Sequence, residues 1–325
     1  MQNNRFFLPI ESLSFNAIEY IEQIKELIDA VKGDCLTNDL SSHFTFIQEQ
    51  GVIKNTAYIE KAKDNLFHIR ISENFGQYIW SVGLYLSVYF DNKVQIPMMN
   101  MAGTNIDNYV ANEKDLEFAN EMFFNGRRLL DHFIKELYWN KPNIVFPEPY
   151  TEIIEKANGI YCGAITFIYA HEFSHNFLGH THFENSYKYA IQDEMKADAT
   201  AISFIQEEYE TRFGFTYKIG IATVLSSILL MGEDSISGSG THPDMDTRIE
   251  NLMNELSLPE MDNLWGYMAI AMKMWLLLNN GITINEDIEH AAFTTYKNMY
   301  EYYLSKLKEV RRIRFPNIVC PEWNK

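Results

Sequence analysis

The segment Ile165-Thr166-Phe167-Ile168-Tyr169-Ala170-His171-Glu172-Phe173-Ser174-His175 sets the fold and the chemistry expected of this chain. It closes an apolar, uncharged run that starts at Gly159, a composition that suits a buried helix. At 3.6 residues per turn, positions four apart are offset by only about 40° around the axis. His171 and His175 then project from one face, one turn apart, and can bind a single cation. Glu172 lies beside that face, where a carboxylate can take a proton from a metal-activated water. The H-E-x-x-H pattern also arises by chance, so its setting matters. Three polar side chains at the inner end of a buried helix are costly without partners, and a metal would satisfy them.

Two imidazoles leave a metal site incomplete, and the next acidic stretch can finish it. Tyr187 to Glu210 contains no Gly or Pro and is rich in Ala, Glu, Gln and Ile, which predicts one long helix. Glu194 and Asp198 share a face of it, four residues apart. Glu194 can complete a His2Glu set with an open fourth position. Asp198 can accept the outer N–H of a ligand histidine and fix its tautomer. Asp193 is the main competitor of Glu194 for the third place. An ordinary solvated acidic face is the bland alternative, which the apolar neighbours Met195, Ala199, Ala201 and Ile202 disfavour.

His171, Glu172, His175, Glu194 and Asp198 together resemble the pattern of the gluzincin metallopeptidases. Glu194-Met195-Lys196-Ala197-Asp198 is similar to the E-x-x-A-D form of the HtpX-like and CAAX-prenyl peptidases, and His180 matches a histidine often found in that group. The soluble peptidases related to the phage-exclusion peptidase Lit also carry an H-E-x-x-H at similar chain length. Downstream, Thr241-His242-Pro243-Asp244-Met245-Asp246-Thr247-Arg248-Ile249 resembles the His-Pro…Arg-Ile segment of HtpX-like peptidases. Pro243 suits a helix's first turn, with Asp244 and Asp246 near its positive end. The resemblance implies that His242 donates a hydrogen bond to the tetrahedral oxyanion. Arg248 could pair with a site carboxylate. It also implies a zincin-like helical core and one Zn²⁺ per chain.

The remaining histidines argue against other zinc patterns. A metzincin would need its third histidine at position 181, which is Thr181. On a continuing helix His180 would point about 140° from His175, so His180 and His182 are expected to be polar residues at a helix end. A di-iron carboxylate bundle would need a second E-x-x-H unit, and none is found: Asp287 precedes His290 by three and Leu129 precedes His132.

Composition narrows the partners. A net charge of −17 disfavours nucleic acid and anionic membranes, since both attract basic surfaces. Cys35, Cys162 and Cys320 form no C-x-x-C, which suits a reducing cytoplasm. No signal-peptide core follows Met1. The apolar stretch from Leu264 to Leu278 contains Lys273 and falls short of the roughly 18–20 residues that span a bilayer. Here the chain departs from the HtpX-like group, whose members are usually membrane-anchored.

Periodicity predicts a mainly α fold with a few short strands (α+β). Helices are expected over 11–32, 77–90, 113–139, 151–179, 187–212, 217–231, 243–256, 261–279 and 286–310, and strands near 43–48 and 65–72. Pro142, Pro147 and Pro149 suggest a boundary, between an N-terminal mostly helical region (1–140) and a metallopeptidase region (150–325). Zincins generally hold substrate along an edge strand; 65–72 and Ile144-Val145-Phe146 are the candidates. The loop 232–240 could be a flap or a plain connector. The expected activity is zinc-dependent endoproteolysis of an intracellular protein or peptide, with no nucleic acid or membrane partner. The alternative is a metal-binding regulatory module without constitutive activity, or a peptidase awaiting an activating partner.

Overall fold

The computed structural model describes residues 21–22, 44–49, 57–61, 66–101, 112–131, 150–180, 190–206, 214–238, 241–280 and 293–316. The architecture is mainly helical with one small sheet. Strands β1 (Phe44–Glu49), β2 (Ala57–Lys61) and β3 (Phe67–Ser72) are ordered β1-β3-β2. β3 is parallel to β1 and antiparallel to β2, with Ile69 opposite Ile59. The alternation in β3 explains its placement: Ile69 and Ile71 are fully buried, whereas Arg70 turns outward to Glu60.

β3 runs directly into helix α1 (Glu73–Phe90), which continues through a π-helical turn (Asp91–Gln95) into α2 (Ile96–Met101). The helices α3 (Glu113–Asp131), α4 (Thr151–Phe177), α5 (Ala190–Gln206) and α6 (Gly214–Leu229) follow, then α7 (Met245–Glu255), α8 (Asn263–Asn280) and α9 (Tyr296–Arg314). α1 is buried on almost every face, as expected of a helix with apolar residues all round. It packs against α3, α4 and α6, and α4 in turn packs against α5 and α6. Buried hydroxyls inside these helices are satisfied locally: Thr166, Ser174, Thr223, Ser226 and Ser227 each donate to the carbonyl four residues back. α8 packs against α6 and α1 and pairs with α9, and Thr295 caps α9 by accepting the Asn298 N–H.

Most sequence-based elements recur with shifted ends. The strand expected at 65–72 is observed at Phe67–Ser72, but it is the central strand of the sheet, not an edge. The last helix starts at Tyr296, because 293–295 form its non-helical entry, and it extends to Arg314. Ile144-Val145-Phe146 lies outside the described residues, as does most of the 11–32 helix. β2 was not anticipated. Among the described residues, no helix is long and apolar enough to cross a membrane.

α4 and α6 approach so closely that side chains are excluded at their crossing. A Cβ on Gly220 would sit 2.3 Å from the carbonyl carbon of Gly163, and one on Gly163 would sit 2.3 Å from the Thr216 carbonyl oxygen. The backbones themselves would have to separate. Gly220→Ala is therefore expected to lower unfolding free energy by about 1–3 kcal/mol. Gly159→Ala, on the same α4 with open space around it, should be neutral or stabilising by up to about 1 kcal/mol. Urea unfolding of the two variants checks both.

Candidate active site

α4 delivers the histidines and α5 the carboxylates because aromatic packing fixes the two helices together. Phe173 and Phe177 of α4 each meet the Phe204 ring of α5 edge-on, with centroids 5.8 Å apart. That docking places Glu194 opposite the His171–His175 face. The Nε2 atoms of His171 and His175 are 3.1 Å apart. Glu194 Oε1 lies 3.2 Å from His175 Nε2, and Oε2 lies 3.6 Å from His171 Nε2. A tetrahedral ion with bonds of about 2.0–2.1 Å needs ligand atoms about 3.3 Å apart. The two nitrogens stand near that separation and each has one Glu194 oxygen near it, Oε1 for His175 and Oε2 for His171, so the residues fit a metal and could hold one.

The outer nitrogens of both imidazoles are also engaged. His171 Nδ1 stands 2.8 Å from Asp198 Oδ1. Asp198 in turn accepts two hydrogen bonds of 2.7 Å from Nε and Nη2 of Arg248 on α7. Arg248 Nη2 is also 3.8 Å from Glu194 Oε2. Burial alone would raise the Asp198 carboxyl, but the Arg248 charge and His171 hold it well below the usual carboxylate range. Burial likewise opposes ionisation of Glu194, yet His175, His171 and Arg248 draw it down to about 2. Both acids are thus anionic at neutral pH. Glu172 differs: burial pushes its carboxyl up, against the pull of His171 and His175.

His180 corrects the sequence reading. It was expected to point away on a continuing helix, but α4 ends at Phe177 and Gly179 takes φ +79°. A left-handed residue just past a helix end is a common helix stop. It turns the chain back, and His180 Nδ1 comes within 3.1 Å of His175 Nδ1. His180 Nε2 is 3.3 Å from Asp193 Oδ1. Asp193, the rival for the third metal position, thus sits with His180 and not in the His-His-Glu group. The Leu178-Gly179 pair after the apolar run was the signal that could have revealed this turn.

A cavity of about 450 Å³ opens over the site. His171, Glu172, His175, Glu194 and Arg248 all face it. Ala57 and Tyr58 of β2 form one side, and β2 stands at an edge of the described sheet. Ser237, Gly238 and His242 form another side. His242 is exposed, with Nε2 3.9 Å from Glu194 Oε1. The inner end is apolar, built by Phe75, Phe167, Ile168, Val224 and Ile228. β2 was missed in the sequence because Ala57-Tyr58-Ile59-Glu60-Lys61 does not alternate, and a five-residue strand carries too little period to stand out.

A mainly helical protein with a metal-competent His-His-Glu group beside a cavity is the class that this geometry defines. The family follows from comparison with known proteins: residues 69–268 match the Peptidase U49 family, and the chain belongs to it. It is therefore a member of a peptidase family, whose substrates are proteins. The matched span contains β3 from Ile69 onward, the site helices, His242 and Arg248. No curated protein and no solved structure matches the chain.

The Arg248–Asp198 pair is buried, so removing one partner leaves an uncompensated charge. Arg248→Met is expected to cost about 3–5 kcal/mol of stability. The double variant Arg248→Met with Asp198→Asn should recover much of that loss. Chemical denaturation of the metal-free protein measures both.

Proposed function

We propose that the chain is a zinc-dependent endopeptidase of the gluzincin type, acting on an intracellular protein in the cytoplasm. His171, His175 and Glu194 would hold one Zn²⁺. The observation that carries this reading is the set of three donor separations, 3.1, 3.2 and 3.6 Å, on the wall of the cavity that Glu172 also faces. When bound, zinc supplies Lewis acidity at the peptide carbonyl and acidifies water. The remaining work falls to this chain's own side chains.

Glu172 accepts the proton of the attacking water and passes it to the leaving amine. Burial equips it for this role by making it more basic than an exposed carboxylate. His242 lies within reach of the same region and donates to the developing oxyanion. Asp198 fixes His171 with its proton on Nδ1, so Nε2 keeps a lone pair for the metal. Arg248 holds Asp198 in place through a two-pronged contact. An extended peptide alongside β2 would present its carbonyl to Glu172 and set a side chain toward the apolar inner end.

Glu172→Gln is expected to keep one zinc per chain and to lower turnover of unfolded casein by about 10²–10⁴-fold. Metal analysis and a fluorescent casein assay are the measurements. Full activity in this variant would sink the mechanism. Wild-type protein that binds zinc but cleaves casein only with added cell lysate would instead point to an activating partner. His242→Ala should reduce kcat by about 10²–10³-fold, with metal content unchanged.

A further inference from the structure

Helix α9 lies beyond the part of the chain that matches the family, yet one of its side chains reaches the back of the cavity wall. Arg311 donates from Nε to Asp246 Oδ2 at 2.8 Å and from Nη1 to Asp244 Oδ2 at 2.6 Å. Both aspartates are fully buried. Their position at the start of α7 favours negative charge, but two buried anions two residues apart repel each other. The guanidinium fork supplies the countercharge. Asp244 uses its other oxygen, Oδ1, to accept the backbone N–H of Gly238 at 2.8 Å. Its carbonyl accepts the backbone N–H of Arg248. Gly238, His242 and Pro243 line the cavity. One guanidinium thus ties α9 to the segment carrying His242 and to the first turn of the helix carrying Arg248.

We propose that Arg311 is a positioning residue: by clamping Asp244 and Asp246 it fixes the cavity wall formed by Ser237, Gly238, His242 and Pro243 over the bound peptide. The proposal rests on the peptidase reading for what the cavity binds, and on the hydrogen-bond chain alone for the clamp. It also gives a role to a helix outside the family match. Lysine cannot replace the clamp, since an ammonium lacks the planar fork that spans two carboxylates.

The test compares wild type with Arg311→Lys, which keeps the charge, and Arg311→Gln. The control is Lys308→Gln, which breaks a different α9–α7 contact, the Lys308–Glu250 ion pair. The readouts are amide hydrogen exchange, zinc content, and affinity for a leucine-bearing peptide hydroxamate. Both Arg311 variants should speed exchange around Gly238 by about tenfold or more while α4 and α5 keep their protection. Zinc should stay at one per chain, and hydroxamate affinity should fall about tenfold. The control should change none of these. Unchanged exchange at Gly238, equal acceleration throughout the molecule, or the same effect from Lys308→Gln overturns the proposal. So does faster exchange with undiminished hydroxamate affinity. Wild type that binds neither zinc nor hydroxamate counts against the peptidase reading, and exchange at Gly238 still tests the clamp.

Discussion

The buried chain Arg248–Asp198–His171 is the constraint on which the site depends. It crosses three helices, α7, α5 and α4, within contacts of 2.7–2.8 Å. Such a network adds little net stability compared with an apolar core, because desolvating the charges offsets their attraction. Its effect is geometric. The charge pair admits one relative placement of the three helices, and any slip leaves an ion unpaired away from water. Within that placement His171 turns Nε2 toward Glu194, and the metal-competent group is assembled.

The two histidines are supported differently. His171 is backed by a carboxylate that stays ionised. His175 is backed by His180, itself set by Asp193. Both arrangements hold the ring against rotation, which matters because a metal ligand must keep its lone pair aimed. Glu194, like Asp198, is held down by what surrounds it: the His175 hydrogen bond, His171 and Arg248 outweigh the burial cost. Glu172 shares the cavity but is pushed the other way. Two glutamates on one wall are thus separated in proton affinity.

The cavity joins parts of the chain that are far apart in sequence. β2 supplies one side, α4 and α5 the wall bearing His171, Glu172, His175 and Glu194, α6 part of the apolar end, and the segment before α7 the remaining side. α9 secures that last side from behind. Within the described sheet β2 pairs with β3, which is anchored by burying Ile69 and Ile71, and β2 also packs directly on α4.

The sequence by itself determined what is local. The four-residue spacings His171–His175 and Glu194–Asp198 put each pair on one helix face, because helix pitch alone fixes that relation. The apolar run before His171 announced a buried helix, and Pro243 announced another, although it precedes the N-cap Asp244 and does not lie in the first turn as the sequence suggested. The pairing of Arg248 with a site acid was foreseeable, but its choice of Asp198 was not. Only the tertiary structure decided that choice, the return of His180 beneath His175 through Gly179, the placing of β2 at the cavity, and the reach of Arg311 to Asp244 and Asp246. Each depends on distances between elements that no periodicity encodes. Those distances are set by aromatic docking of α4 on α5, by the close α4–α6 crossing, and by the need of buried charges to find one another.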